Sequence, residues 1–287
     1  MRFGITILPE HRWSDAAQRW RRAEELGFDH AWTYDHLVWA GLPDSPWFGA
    51  LPTLTAAADV TERIRLGTFV SSPNYRHPYV FARDLLAVED VSDGRLVCGL
   101  GTGGDLDARI LGEDRPLKER VDRFHEFVAA LDRLLREDHV DLDGRFYRTV
   151  DARTLPGPLQ RPRIPFVIAA NGPRALRLAA THGQGWTTFG LGGDTLEQWW
   201  EGIATLSRRL DEAEAAAGRE QPLDRYLSLD GSPRFSLESV DLFEDMVGRA
   251  HDLRFTDVIT HWPRAEGVYA GSERTLDEAA SRLPALR

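Results

Sequence analysis

The stretch Asp29-His30-Ala31-Trp32-Thr33-Tyr34, followed at once by Asp35-His36, reads as a β-strand that delivers an acid and an imidazole to a loop. Seven further apolar, β-prone runs surround it. They begin near Phe3 (FGITIL), Ile64 (IRLGTFV), Arg95 (RLVCGL), Ile164 (IPFVIAA), Gly185 (GWTTF), Tyr226 (YLSLD) and Asp257 (DVITHW). Most are too continuously apolar for half-exposed strands and suit parallel strands roofed by helices. Helical patterns separate them, at about 51–62, 78–91, 117–137, 173–183, 194–217, 236–252 and 274–284. The first helix has Ser14 as its candidate cap, Ala16, Trp20, Ala23 and Leu26 on its inward face, and Gly27 as its stop. Eight strands, each followed by a helix, predict an α/β fold of the closed (β/α)8 TIM-barrel type. In such a barrel, active sites are built at the C-terminal ends of the strands, where Asp35 and His36 stand.

The 287 residues form one expected domain, 1–287. About 64 residues separate the fourth and fifth strands and read as an excursion on the barrel, with a helix, a turn at Gly144 and a Pro-rich stretch from Pro156 to Pro165. A net charge of −10 argues against nucleic acid as a partner. Lys118 is the single lysine, and Cys98 the single cysteine, so no internal disulfide can form. The N-terminal residues enter a strand directly, and no apolar run is long enough to span a membrane; the expected location is the cytoplasm.

Gly99-Leu100-Gly101-Thr102-Gly103-Gly104 satisfies the G-x-G-x-x-G spacing of dinucleotide folds. It follows the fourth strand, however, and no acid ends a strand about 20 residues further on, as ribose binding needs. The better reading is a barrel strand that ends in glycines so that a ligand can approach its backbone, with a plain tight turn as the alternative. Asn171-Gly172-Pro173-Arg174 opens a helix after the fifth strand; it can offer amides to an anion or be an ordinary cap. Thr187-Thr188-Phe189-Gly190 ends the sixth strand, Asp230 the seventh and His261-Trp262 the eighth, while His11 and Trp13 follow the first. Together these would set imidazole, indole and hydroxyl groups round one rim, which suits a planar aromatic ligand and its substrate. No metal site is expected, because no H-x-H, H-E-x-x-H or cysteine pair occurs. Nucleophilic catalysis is disfavoured by the lack of G-x-S-x-G and by the apolar setting of Cys98.

In this order the motifs resemble the bacterial-luciferase-like superfamily of flavin- and deazaflavin (F420)-dependent oxidoreductases. The segments are Ala23-Glu24-Glu25-Leu26-Gly27-Phe28 leading to Trp32 and Asp35-His36, Thr61 to Thr68, His77-Pro78, Asp90 to Arg95, the Gly99–Gly103 strand end, Asp143 to Tyr147, Pro165 to Gly172 and Gly183 to Trp186. The resemblance implies a TIM barrel with the cofactor at its C-terminal rim. Asp-His after the second strand looks like the F420-using branch, with FMN as the alternative cofactor and an FMN-dependent monooxygenase as the alternative activity; a non-catalytic flavin-binding barrel is a third reading.

The same resemblance implies roles for individual residues. His36 would exchange a proton with the substrate or orient it, with Asp35 as its orienter or a loop cap. Trp39 would join them at the ring. A non-proline cis peptide would fall at Phe69–Val70, followed by Ser71 and Ser72. Thr102 and Gly103 would line the ring or its side chain, and Ala169, Ala170, Asn171 and Gly172 would give amides to the cofactor chain, near Thr188. His11, Trp13, His261 and Trp262 are the candidate substrate contacts. Relatives place a glutamate after Thr-Gly where this chain has Gly104, so the expected carboxylate is missing. The partners implied are a small-molecule substrate and a second copy in a homodimer, suggested also by the apolar surplus of the helices at 51–62 and 78–91.

Overall fold

Strands β1 (Arg2–Thr6), β2 (His30–Thr33), β3 (Arg65–Thr68) and β4 (Leu96–Leu100) form one half of a closed parallel barrel. Strands β7 (Phe166–Ala169), β8 (Gly185–Thr188), β9 (Asp224–Ser228) and β10 (Asp257–His261) form the other. The computed structural model describes all 287 residues. β4 pairs directly with β7, and β1 closes the circle on β10 with Arg2 opposite Asp257 and Thr6 opposite His261. The eight strands read from the sequence are these eight.

Strand alternation sends every second residue to the barrel axis. There Leu8, Trp32, Tyr34, Phe69, Val97, Val167, Tyr226 and Ile259 fill the interior as their own buried cluster. The larger core lies between the barrel wall and the helices. Space inside is tight: a Cβ on Gly67 would strike the Trp32 ring. The bottom is sealed by polar groups. Trp32 Nε1 donates to His30 Nδ1 at 2.6 Å, leaving His30 Nε2 to donate to Asp257 at 3.0 Å, while the Arg2 guanidinium grips Asp257 at 2.8 and 2.7 Å. Burial alone would raise the Asp257 carboxyl, but the bonds from His30 and Arg2 hold it below the usual carboxylate range.

The helices are α1 (Trp13–Glu25), α2 (Ala50–Asp59), α3 (Pro78–Val91), α4 (Asp105–Ile110), α5 (Leu117–Leu134), α6 (Pro173–His182), α7 (Leu196–Ala216), α8 (Val240–Asp252), α9 (Glu273–Ala280) and α10 (Leu283–Leu286). Three details differ from expectation. Ser14 is inside α1, whose cap position is Arg12; its hydroxyl reaches only Asp15. The 236–252 helix is split, because the Ser239 hydroxyl accepts from the Leu242 amide and starts α8 afresh. The excursion after β4 holds the short α4 and an antiparallel hairpin, β5 (Val140–Asp143) with β6 (Arg148–Ala152). These two strands are short and largely exposed, so they lack the apolar pattern that reveals the barrel staves. No helix is long and apolar enough to cross a membrane.

Candidate active site

His36 leaves the end of β2 with its Nδ1 2.8 Å from Asp107 Oδ2. The other Asp107 oxygen accepts from the amides of Leu37, at 2.8 Å, and Val38. Asp107 is 1% exposed, whereas the His36 side chain is 26% exposed. Burial by itself would raise the Asp107 carboxyl, but the hydrogen bonds from His36, Leu37 and Val38 outweigh it and hold it below the ordinary range. An ionised carboxylate only accepts, so His36 Nδ1 donates to Asp107 and Nε2 is the ring nitrogen left outside the pair. Asp107, three residues beyond Gly104 on α4, thus holds His36 and does not stand in for the carboxylate expected after Gly103, because it is buried and both its oxygens are taken. The sequence carried one signal for it, an acid on the first turn of a short helix beginning D-L-D at the rim.

Asp35 does not orient His36. It is buried, and its oxygens receive Ser71 Oγ, Tyr75 OH at 2.8 Å and Arg76 Nη2 at 2.8 Å. Asp35 thus ties β2 to the segment that follows β3. Phe69–Val70 in that segment is a cis peptide, as the resemblance implied. Ser72 caps the short 3-10 turn Pro73–Tyr75. The glycines of β4 serve this neighbour: a Cβ on Gly99 would collide with the Thr68 carbonyl, and one on Gly101 would meet the Val70 side chain. Their close approach is to protein backbone and side chain, which corrects the reading that they make room for a ligand. Gly103 has φ +79, and a Cβ there would meet Ser72.

Thr102, Ala169, Ala170, Asn171, Gly172 and Thr188, six of the expected cofactor residues, line one cavity of about 630 Å³. Lys118, Arg174 and Thr187 line it too; the last two stand in the rim motifs singled out from the sequence, and only Lys118 was given no place at the site. The expected roles need refinement. Asn171 Nδ2 donates to the Gly190 carbonyl at 2.8 Å, and its oxygen accepts from Thr188 Oγ at 2.7 Å, so both side chains are spent on holding the loop after β8. The Ala170 amide is bonded to Thr187 O, and so is not free for a ligand. The Thr187 hydroxyl, by contrast, is fully buried without a hydrogen-bond partner.

Above the barrel interior stands a collar of half-buried apolar side chains, Trp39, Leu42, Trp47, Val70, Phe189 and Tyr269. Trp39 meets Tyr34 edge-on at 5.2 Å and stacks on Tyr269 at 6.0 Å; Tyr34 lies 6.2 Å from the His36 ring. His261 points inward to this group and is fully buried. The other expected substrate contacts do not join it. Trp262, one residue on, falls on the outer face by strand alternation and donates to Glu273 at 3.2 Å. His11 and Trp13 line a separate groove against Phe48, because the chain after β1 turns outward to start α1.

Residues 1–230 match the model of a protein family described as luciferase-like monooxygenase. An F420-dependent glucose-6-phosphate dehydrogenase of Intrasporangium calvum is 33% identical over 231 residues, covering 76% of this chain and 66% of the relative. The chain thus spans just under two thirds of that relative's length. Among solved structures, an F420-dependent secondary alcohol dehydrogenase in complex with an F420-acetone adduct superposes with a TM-score of 0.83 at 15% identity, covering 100% of this chain and 99% of that one. The F420-dependent tetrahydromethanopterin reductase of Methanopyrus kandleri gives 0.80 at 19% identity, with coverage of 100% and 99%. At these identities the two structures attest the fold.

Proposed function

The chain belongs to the luciferase-like monooxygenase family, and on that footing we propose that it is an oxidoreductase using F420 to exchange hydride with a small organic substrate. The observation that carries the reading is the His36–Asp107 pair on the rim, set on the same post-β4 segment whose Thr102 lines the 630 Å³ cavity. The residues fit a deazaflavin. The cavity offers the unpartnered Thr187 hydroxyl, and Lys118, which has no carboxylate partner, at its edge suits an acidic tail. The collar next to it offers aromatic faces to a planar ring.

F420, when bound, would supply the hydride donor or acceptor. The chain's own residues handle the proton and the water. Asp107 keeps the proton on His36 Nδ1, so Nε2 can take a proton from a substrate hydroxyl or return it. The collar keeps water from the reacting atoms.

The test is titration of the purified protein with F420 and with FMN, following cofactor fluorescence. Saturable F420 binding without an FMN response is expected. The reverse would overturn the proposal in favour of an FMN monooxygenase, and no binding of either would favour a barrel without this chemistry.

A further inference from the structure

The cavity of about 630 Å³ carries an excess of positive charge. Lys118 and Arg174 line it, and no acid does. Helix α6 opens onto it from Gly172 with no side-chain cap and no acid in its first turn, so the positive end of the helix is uncompensated there as well. Such a lining suits an anionic group, and the acidic tail of the cofactor is the group at hand.

Arg174 is not free to meet that tail. Its Nη2 donates to Asp122 Oδ1 at 2.6 Å, across the seam where α6 packs on α5. Asp122 stands behind the cavity and not in its wall. Three cations surround its carboxylate. They are Arg174 first, then Lys118, one turn earlier on α5, and Arg145 in the β5–β6 turn, whose Nη1 is 3.8 Å from Oδ2. They hold the Asp122 carboxyl below the usual range, so it is ionised at neutral pH. The other charged neighbours do not enter this arrangement. Glu119 is held by Arg115 at 2.5 Å, and Arg177, on the next part of α6, is not in the cavity wall. Asp122 is thus the carboxylate that ties up a cation of the cavity lining.

The exposure of the pair makes it exchangeable. The Arg174 side chain is 43% exposed and that of Asp122 26%, so water screens both and their pairing contributes little to stability. A guanidinium held this loosely can turn to a second anion, whereas one sealed in the interior with its partner cannot be separated without stranding a charge. An anion in the cavity and Asp122 on α5 therefore compete for the same donor.

We propose that Asp122 is a latch that competes with the acidic tail of the cofactor for Arg174. It holds the guanidinium on α5 while the cavity is empty and cedes it when the tail enters beside Lys118. This rests on the F420 reading and adds to it the residue that sets how tightly the tail is held. Asp122 touches neither ring nor substrate; it is a positioning residue that acts through Arg174. Its charge weakens binding of a cofactor that carries the tail and leaves a tail-free deazaflavin unaffected.

The test titrates the native protein, Asp122→Asn, Arg174→Gln and the double variant with F420 and with its tail-free deazaflavin, following cofactor fluorescence at low salt and at about 1 M salt. Asp122→Asn keeps the shape of the side chain and removes its charge. At low salt it should bind F420 about three- to fivefold more tightly than the native protein, the scale of an exposed ion pair. The gain should fade at about 1 M salt, where charges are screened within about 3 Å. It should be absent for the tail-free deazaflavin, and smaller when Asp122→Asn is made on the Arg174→Gln background. F420 affinity that is unchanged or weaker in a folded Asp122→Asn protein would overturn the latch and leave Asp122 as a tie between α5 and α6. An equal gain for the tail-free deazaflavin, or an undiminished gain on the Arg174→Gln background, would overturn it too. Failure of the native protein to bind F420 would overturn the cofactor reading and the latch with it.

Discussion

His36 and Asp107 are 71 residues apart in the chain and 2.8 Å apart in space. The pairing fixes which imidazole nitrogen is available at the rim. If Nε2 handles the substrate proton, His36→Ala should lower turnover roughly 10²- to 10⁴-fold, the range for acid–base groups, while F420 fluorescence titration shows cofactor affinity little changed. Native-like turnover in the variant would remove His36 from the mechanism.

Asp107 should leave a mark on acid stability. Its carboxyl lies lower in the folded chain than in the unfolded one. The stability it gives is therefore complete above the unfolded value, about 3.9, and is lost as pH falls through the lower folded value. Urea unfolding of the native protein and of Asp107→Asn should differ by a constant amount from neutral pH down to about 4, and converge below that. A gap that widens on acidification would contradict the assignment.

Asp35 is expected to act on stability. Asp35→Ala would leave the Arg76 guanidinium, 14% exposed, without its carboxylate. Stranding a buried charge in this way costs about 3–5 kcal/mol, measurable as a lower urea midpoint. A midpoint equal to that of the native protein would show that Ser71, Tyr75 and Arg76 rearrange freely.

Thr187→Val is a near-isosteric change that removes the buried, unpartnered hydroxyl. The ligand-free protein should gain or keep thermal stability, because an unsatisfied buried polar group costs about 1–3 kcal/mol. F420 affinity should fall if that hydroxyl meets the cofactor. Unchanged affinity would leave the orphaned hydroxyl to some other partner, such as a buried water.

A second copy is expected to cover the face formed by α3 and the 155–161 segment, where Val80, Val91, Leu155 and Leu159 are about half exposed. The apolar residues of α2, by contrast, are already buried within the chain. Light scattering should give twice the 32.3 kDa chain mass, and aspartate at Val80 and Leu159 should halve it. A monomeric native protein would overturn this.

The barrel was legible because its staves are buried on both faces, which writes them as short apolar runs. His36 was legible because it ends such a run. Asp107 was not, because its partnership is made by α4, a helix too short and too polar to announce itself, across 71 residues. Trp262 was misplaced by reading a pair where alternation separates neighbours, His261 inward and Trp262 outward. Thr188 and Asn171 stand at the cavity as expected, but only geometry reveals that their side chains are bonded to each other.

The pairing of β1 with β10 bears on how this protein is made. The mouth draws Tyr34 from the second stave and His261 from the last, and the clasp of Arg2 on Asp257 joins the two ends of the sheet. While the ribosome is still at work, β1 has an open edge that a neighbouring nascent chain could pair with. Neither the barrel nor the contact of Tyr34 with His261 can be completed until β10 has emerged. A stalled or truncated product would therefore have no working mouth, however much of the barrel wall it had assembled.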